Sequence, residues 1–134
     1  ALGHADTMIA GIRAAVPEAK IGMVMLVPPA ASQDAFGANY QCNQTRWQYR
    51  RNQHRMVERM KEKYGGREGE GLYLIPAYVN LDTARNYPTQ EVAANARSTV
   101  KIVRQCNGVH PAAPGYRQMA DSIYNWMKAL LAAK

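Results

Sequence analysis

Histidine is the side chain that most readily exchanges a proton near neutral pH. His110 stands in the segment Asn107-Gly-Val-His110-Pro-Ala-Ala-Pro-Gly115-Tyr116. Pro111 and Pro114 restrict the backbone around it, and Gly115 permits a close approach where the chain turns into a helix. A histidine held on a rigid turn meets the first demand on a general base, which is placement. The plainer reading is a histidine that caps or packs against the helix. A nucleophile for it to activate is harder to find. Ser32, Ser98 and Ser122 are the serines, and none sits in a strand-to-helix elbow that would present its hydroxyl. His4 and His54 have no Cys, Asp or Glu at ligand spacing, so no metal centre is expected. Cys42 and Cys106 fit no metal-binding spacing either, and are equally compatible with a disulfide and with two free thiols. No cofactor is called for.

The elements that must position His110 alternate along the chain. Met8, Ile9, Ile12 and Val16 recur at helical spacing, and Pro17 stops that helix. Ile21 to Val27 is a continuous apolar run, the pattern of a strand buried on both faces. Pro28-Pro29 ends it, and a polar loop with Ser32, Asp34, Gly37 and Asn39 runs to about Asn43. A helix is expected from about Gln44 to Tyr64, with Tyr49, Met56, Val57, Met60 and Tyr64 as its apolar stripe and Gly65-Gly66 as its stop. Leu72 to Val79 reads as a second strand, with an irregularity at Pro76. A long loop follows from Asn80 to Asn107, with a short strand near Val100–Val103; loops of that length are usually functional. The last helix runs from about Ala113 to Ala132, with Tyr116, Met119, Ala120, Ile123, Met127, Leu130 and Leu131 on its apolar face. Helix, strand, helix, strand, helix predicts an α/β fold with a parallel sheet. In such a sheet the loops beyond the strand ends converge on a crevice, which is where His110 falls. There is no repeat and no linker, so residues 1–134 are read as a single domain. Two strong strands are few for a stable sheet, and the sheet is expected to be incomplete at its N-terminal side. A start at Ala1, within a helical pattern, points the same way, to a processed or truncated product.

Composition bounds the alternatives. The chain has 134 residues, of which 47% are hydrophobic and 20% charged, a globular balance without the signature of disorder. No run approaches the roughly 18 apolar residues of a membrane helix, and no basic-then-apolar leader is present. The net charge of +7 is concentrated between Arg46 and Lys63. There Arg46, Arg50, Arg51, His54, Arg55, Arg59, Lys61 and Lys63 are opposed only by Glu58 and Glu62. Such a helix could meet nucleic acid or another anionic polymer. A solvated helix face is the plainer reading and the one preferred here.

Gly-Val-His110-Pro, three residues, then Gly115-Tyr116 and an amphipathic C-terminal helix resembles the last block of the SGNH/GDSL hydrolases. Val16-Pro-Glu-Ala-Lys20, the Ile21–Val27 strand and Pro28-Pro29 are similar to that family's penultimate helix-strand units. The resemblance implies the C-terminal part of a three-layer α/β/α, flavodoxin-like parallel-sheet domain. It implies that His110 takes the proton of a serine attacking an ester carbonyl, in a small molecule or a carbohydrate. The serine would lie in a Gly-Asp-Ser-like block near the N-terminus of the complete domain. That block and the glycine and asparagine of the oxyanion hole are absent from these residues, so a missing N-terminal half is the implied partner. Where the family has an aspartate three residues before the histidine, this chain has Asn107, which can accept a hydrogen bond but supplies no charge. Either a Ser-His dyad operates with Asn107 at its side, or another carboxylate serves. Asp82 is such a candidate, although Asn80-Leu-Asp-Thr83 reads more simply as a turn. Gln33 and Asp34, after Pro28-Pro29, border the implied pocket and are candidate substrate contacts. Tyr40, Trp47 and Tyr49 could stack on sugar rings, and Arg85 and Tyr87 could line the cleft. The alternative is a catalytically inactive module of the same shape that binds carbohydrate or protein; a basic nucleic-acid-binding domain is the third reading.

Overall fold

The computed structural model describes residues 2–39 and 44–132; Tyr40 and Cys42 lie outside them. In chain order the elements are α1 (Leu2–Ala15), β1 (Ile21–Val24), α2 (Asp34–Asn39), α3 (Arg46–Tyr64), β2 (Leu72–Ile75), β3 (Thr89–Ala93), β4 (Lys101–Gln105) and α4 (Ala113–Ala132). Single 3-10 turns occupy Glu68–Glu70 and Ala77–Val79. The fold is mixed α/β, with one small parallel sheet and one antiparallel sheet.

β1 and β2 pair in parallel, from Ile21 opposite Leu72 to Val24 opposite Ile75. The ladder is carried one step further at each end, by Ile21 N–H to the Gly71 carbonyl (2.8 Å) and Met25 N–H to the Ile75 carbonyl (2.9 Å). Both strands are shorter than their apolar runs. β2 stops because Pro76 has no N–H to continue a ladder, and at φ −80°, ψ 57° it turns the chain into the Ala77–Val79 turn. Among the described residues β1 pairs with β2 alone and loses it at the same level, so Leu26 and Val27 leave the sheet.

Helices cover both faces of this pair. On one side Met25, Leu72 and the partly buried Ile21, Met23 and Leu74 pack against Val57, Met60 and Tyr64 of α3, with Leu2, Ala5 and Ile9 of α1 against the same cluster. Tyr64 is fully buried and its hydroxyl reaches the Leu2 carbonyl (3.0 Å) and Asp6 Oδ1 (2.9 Å), which ties α1 to α3. On the other side Trp126 of α4 lies against Tyr73, ring centroids 5.8 Å apart. It also lies so close to Gly22 that an added Cβ would stand 2.8 Å from the indole ring. α3 begins where its sequence says it should. Thr45 Oγ1 accepts from Gln48 N–H (3.1 Å) while Gln48 Oε1 accepts from Thr45 N–H (2.7 Å), a reciprocal cap. Gly66, at φ +73°, takes the left-handed conformation that lets the chain leave the helix.

Three expectations need correction. The loop between Pro28 and Asn43 contains a short helix, α2, started by Ser32 Oγ accepting from Asp34 N–H (3.2 Å). The long loop from Asn80 to Asn107 is largely a β-hairpin: β3 and β4 run antiparallel from Thr89 opposite Gln105 to Ala93 opposite Lys101. β4 coincides with the short strand expected near Val100–Val103, whereas β3, Thr-Gln-Glu-Val-Ala, is too polar and too exposed to announce itself. The third concerns the helix stripes. In α1 no residue is buried, and Met8, Ile12 and Val16 are exposed. In α4 the buried positions are Gly115 and Ser122, while Tyr116, Met127 and Leu131 stand in solvent. Each helix turns one edge of its apolar stripe inward and leaves the other uncovered.

Candidate functional site

His110 is exposed on the turn that leads into α4. Asn107 builds that turn: its Oδ1 accepts from the N–H groups of Val109 (3.0 Å) and His110 (2.9 Å), an Asx arrangement that fixes the backbone under the histidine. The Asn107 amide therefore holds the His110 main chain and is not bonded to its ring. The imidazole has no hydrogen-bond partner among the described residues.

Three contacts anchor the turn. Ala30 N–H donates to the Gly108 carbonyl (3.0 Å). The Phe36 ring lies over Gly108, 3.0 Å from where a Cβ would stand, and tilts against Tyr49 at 5.8 Å between ring centroids. Ala112 N–H donates to the Asn86 carbonyl (2.9 Å), and Gly115 presses onto the same carbonyl so tightly that an added Cβ would lie 2.7 Å from it. The close approach anticipated at Gly115 is thus an approach to the 81–86 segment. The amide of Gln118, one turn into α4, accepts from Asp82 N–H (2.9 Å) and from Asn86 Nδ2 (2.8 Å), so loop and helix move as a unit.

Asp82 spends its carboxylate on its own turn. Oδ1 accepts from the N–H groups of Ala84 (2.9 Å) and Arg85 (3.0 Å), and Oδ2 lies 3.5 Å from Arg85 Nη1. The Arg85 and Ala84 amides hold the carboxyl below its usual range. That is the turn-forming role, and no contact links Asp82 to His110. Tyr87 is not a cleft residue: it is 2% exposed, and its hydroxyl donates to the Pro28 carbonyl (2.5 Å). Burial pushes its phenol well above the usual value. Arg85 is largely exposed, with its guanidinium turned to Asp82.

Gln33 and Asp34 lie on the segment that Ala30 ties to Gly108. Gln33 Oε1 accepts from Arg46 N–H (2.7 Å) and so closes the entry to α3. Asp34 pairs with Arg104 Nε across 3.7 Å and lines a shallow groove of about 350 Å³ with Ser32, Ala84, Arg104 and Gln105. His110 is not part of that lining. The structure therefore brings Asn107 under His110, places Gln33 at the start of α3, and gives Asp34 a groove of its own.

Gln105 was not anticipated. It is 7% exposed, its Oε1 accepts from Ser32 N–H (2.8 Å), and its Nε2 donates to the Thr83 (2.8 Å) and Ala84 (3.0 Å) carbonyls. One side chain thus ties both flanking loops to the end of β4. A glutamine at the end of an exposed strand carries no signal of this in the sequence; only its burial reveals it. The two other histidines form no cluster with Cys, Asp or Glu that could hold a metal ion among the described residues.

Comparison with family models, with curated proteins and with solved structures found no match to this chain.

Proposed function

We propose that the chain is the histidine-bearing part of an SGNH/GDSL-type serine ester hydrolase, with His110 as general base. The observation that carries the reading is the exposed, unpartnered imidazole on a turn fixed at both ends. The serine and oxyanion donors would come from a segment outside these 134 residues. Its place in the fold is the open side of β1. In a parallel ladder alternate residues face each neighbour, so Ile21, Met23 and Met25 turn to β2 while the N–H and C=O groups of Gly22 and Val24 point to the free edge. Beside that edge a groove of about 280 Å³ is lined by Met8, Ile12, Gly22 and Val24, apolar side chains that a further strand would cover. Continued in this way, the helix-covered pair becomes the three-layer α/β/α domain of the resemblance, and ester substrates, acetylated carbohydrate among them, follow from it.

The test is hydrolysis of p-nitrophenyl acetate by the polypeptide that carries the preceding segment, with and without His110→Ala. General-base catalysis contributes about 10² to 10⁴ in rate, and a loss of that size is expected. A loss below about tenfold would remove His110 from the mechanism.

One observation favours the second reading, an inactive binding module. The Asn107 amide is committed to the backbone, and no carboxylate touches the imidazole among the described residues. A fluorophosphonate probe separates the two, since it labels only an activated serine.

A further inference from the structure

α4 carries an apolar line that its own fold does not use. The helix turns Gly115, Ser122 and Trp126 inward, onto the Asn86 carbonyl, Asn80 and Gly22. At 3.6 residues per turn Ala120, Tyr124, Met127 and Leu131 share a second line, turned about 150° from that inward side. All four are exposed, Tyr124 at 64% and Leu131 at 69%. Their spacing of four, three and four residues is that of a seam between two helices. Arg117, seven residues before Tyr124, ends the line on its N-terminal side.

The direction of this line decides what can cover it. A helix laid beside α4 on the same sheet would meet its flank, about 60–80° from the inward side, where Ile123 and Leu130 are already half-buried. Tyr124 and Leu131 lie about 160–180° from the inward side, beyond the reach of such a neighbour. Their cover must come from outside the layer. Asp121 and Lys128, seven residues apart, border the line on its other flank. Both are exposed, and neither has an ion-pair partner among the described residues.

The line is complementary to itself when two copies run antiparallel. With the two-fold axis between Asn125 and Trp126, Tyr124 lies against the partner's Met127, and the small Ala120 leaves room for the partner's Leu131. The same axis brings Asp121 to the partner's Lys128, and Lys128 to the partner's Asp121. Parallel pairing would set Ala120 against Ala120 and Leu131 against Leu131, and would turn Lys128 toward the apolar Ile123 and Leu130 flank.

We infer that α4 is an interface between two copies of this chain, paired antiparallel through Ala120, Tyr124, Met127 and Leu131. The inference does not rest on the hydrolase reading. The seam from Ala120 to Leu131 is about 17 Å long, which is short for an interface. Each copy also carries a charge of +7. The dimer is therefore weak, with a dissociation constant between about 10 and 300 μM.

Sedimentation velocity of the 134-residue chain, from roughly 10 μM to 1 mM in about 150 mM salt, tests this. A concentration-dependent shift to twice the monomer mass is expected. Met127→Glu sets a carboxylate into each half of the seam and should weaken association by at least about tenfold. Asp121→Lys and Lys128→Asp each turn two attractions into repulsions and should weaken it by about threefold or more. Mixing those two variants restores opposite charges across the seam, and the mixed dimer should come within about twofold of the original constant. Far-UV circular dichroism checks that each variant folds. A monomer at roughly 1 mM overturns the inference. So does a dimer that withstands Met127→Glu and yields instead to Val24→Lys, which would place the contact at the β1 edge. Failure of the mixed variants to recover overturns the antiparallel pairing.

Discussion

Replacing Gln105 by leucine tests whether one buried amide holds the two loops beside the candidate site. Leucine keeps most of the volume and removes three hydrogen bonds, to Ser32 N–H, the Thr83 carbonyl and the Ala84 carbonyl. A single intramolecular hydrogen bond contributes about 0.5–1.5 kcal/mol net, and more when its partner is left buried without a substitute. Ser32 and Thr83 are half-buried and Ala84 is exposed, so water replaces part of what is lost. The expected destabilisation is therefore about 2–3 kcal/mol, below the sum of three fully buried losses. Urea denaturation followed by far-UV circular dichroism reads it. With a slope of about 2 kcal/mol per molar, the midpoint falls by about 1–1.5 M while the slope is unchanged. A shift of less than about 0.3 M would mean that the amide is not what fastens the loops, and that the Ala30–Gly108 and Asp34–Arg104 contacts suffice. A change in slope would mean that the hairpin had detached as a unit.

Gly115→Ala places a methyl 2.7 Å from the Asn86 carbonyl oxygen and from the Pro111 Cβ, both rigid neighbours, and should cost about 1–3 kcal/mol in the same assay. An unchanged midpoint would show that α4 can lift off the 81–86 segment freely. Thr45→Ala removes one half of the reciprocal cap on α3 and should cost about 1 kcal/mol, with partial rescue by Thr45→Ser. The Asp82 carboxyl is held below its usual range, so its contribution is present above the unfolded value near 4 and disappears as pH falls through the lowered folded value. Asp82→Asn should flatten the stability profile below about pH 4 and change its slope little between pH 6 and 8; an unaltered acid limb would show that the turn does not depend on the charge.

How much of this was legible depends on whether a residue's role is local. The Gly65-Gly66 stop and the Pro76 interruption are decided within a few residues, and each was read; the Thr45–Gln48 cap is as local but was not. The apolar runs at Ile21 and Leu72 were readable as strands, but their ends were not. A strand ends where its partner does, and Pro76 sets the end of β1 from fifty residues away. β3 was illegible because its residues are polar and it is held by β4, without an apolar face to mark it. At the site, His110, Pro111 and Gly115 announced a fixed turn. The support of the ring was left open between Asn107 and Asp82; both side chains instead bond to backbone N–H groups of their own turns, a role that spacing does not distinguish. Gln33, Gln105 and Gln118 are polar side chains whose work lies in distant backbone groups, and spacing carries no trace of that.

The misplaced apolar stripes bear on the function more than any of these. Met8 is 68% exposed, Leu131 69% and Met127 52%, and Val24 faces outward on β1. Scattered apolar exposure is ordinary, but here it accompanies a strand edge whose amides are unpaired among the described residues. α1 has no buried residue, and among the described residues the buried indole N–H of Trp126 has no partner. Among the described residues an unpaired buried donor and two half-covered helices are unfavourable terms. Met8, Ile12 and Val24 lie about β1, whereas Val79, Met127 and Leu131 are exposed on the β2 and α4 side. Additional strands on β1 would pair Gly22 and Val24 and cover Met8 and Ile12 in one step. On the proposed hydrolase reading, adding the preceding segment should raise the urea midpoint and create His110-dependent hydrolysis together. A gain in stability without activity would leave the fold argument standing and overturn the catalytic one.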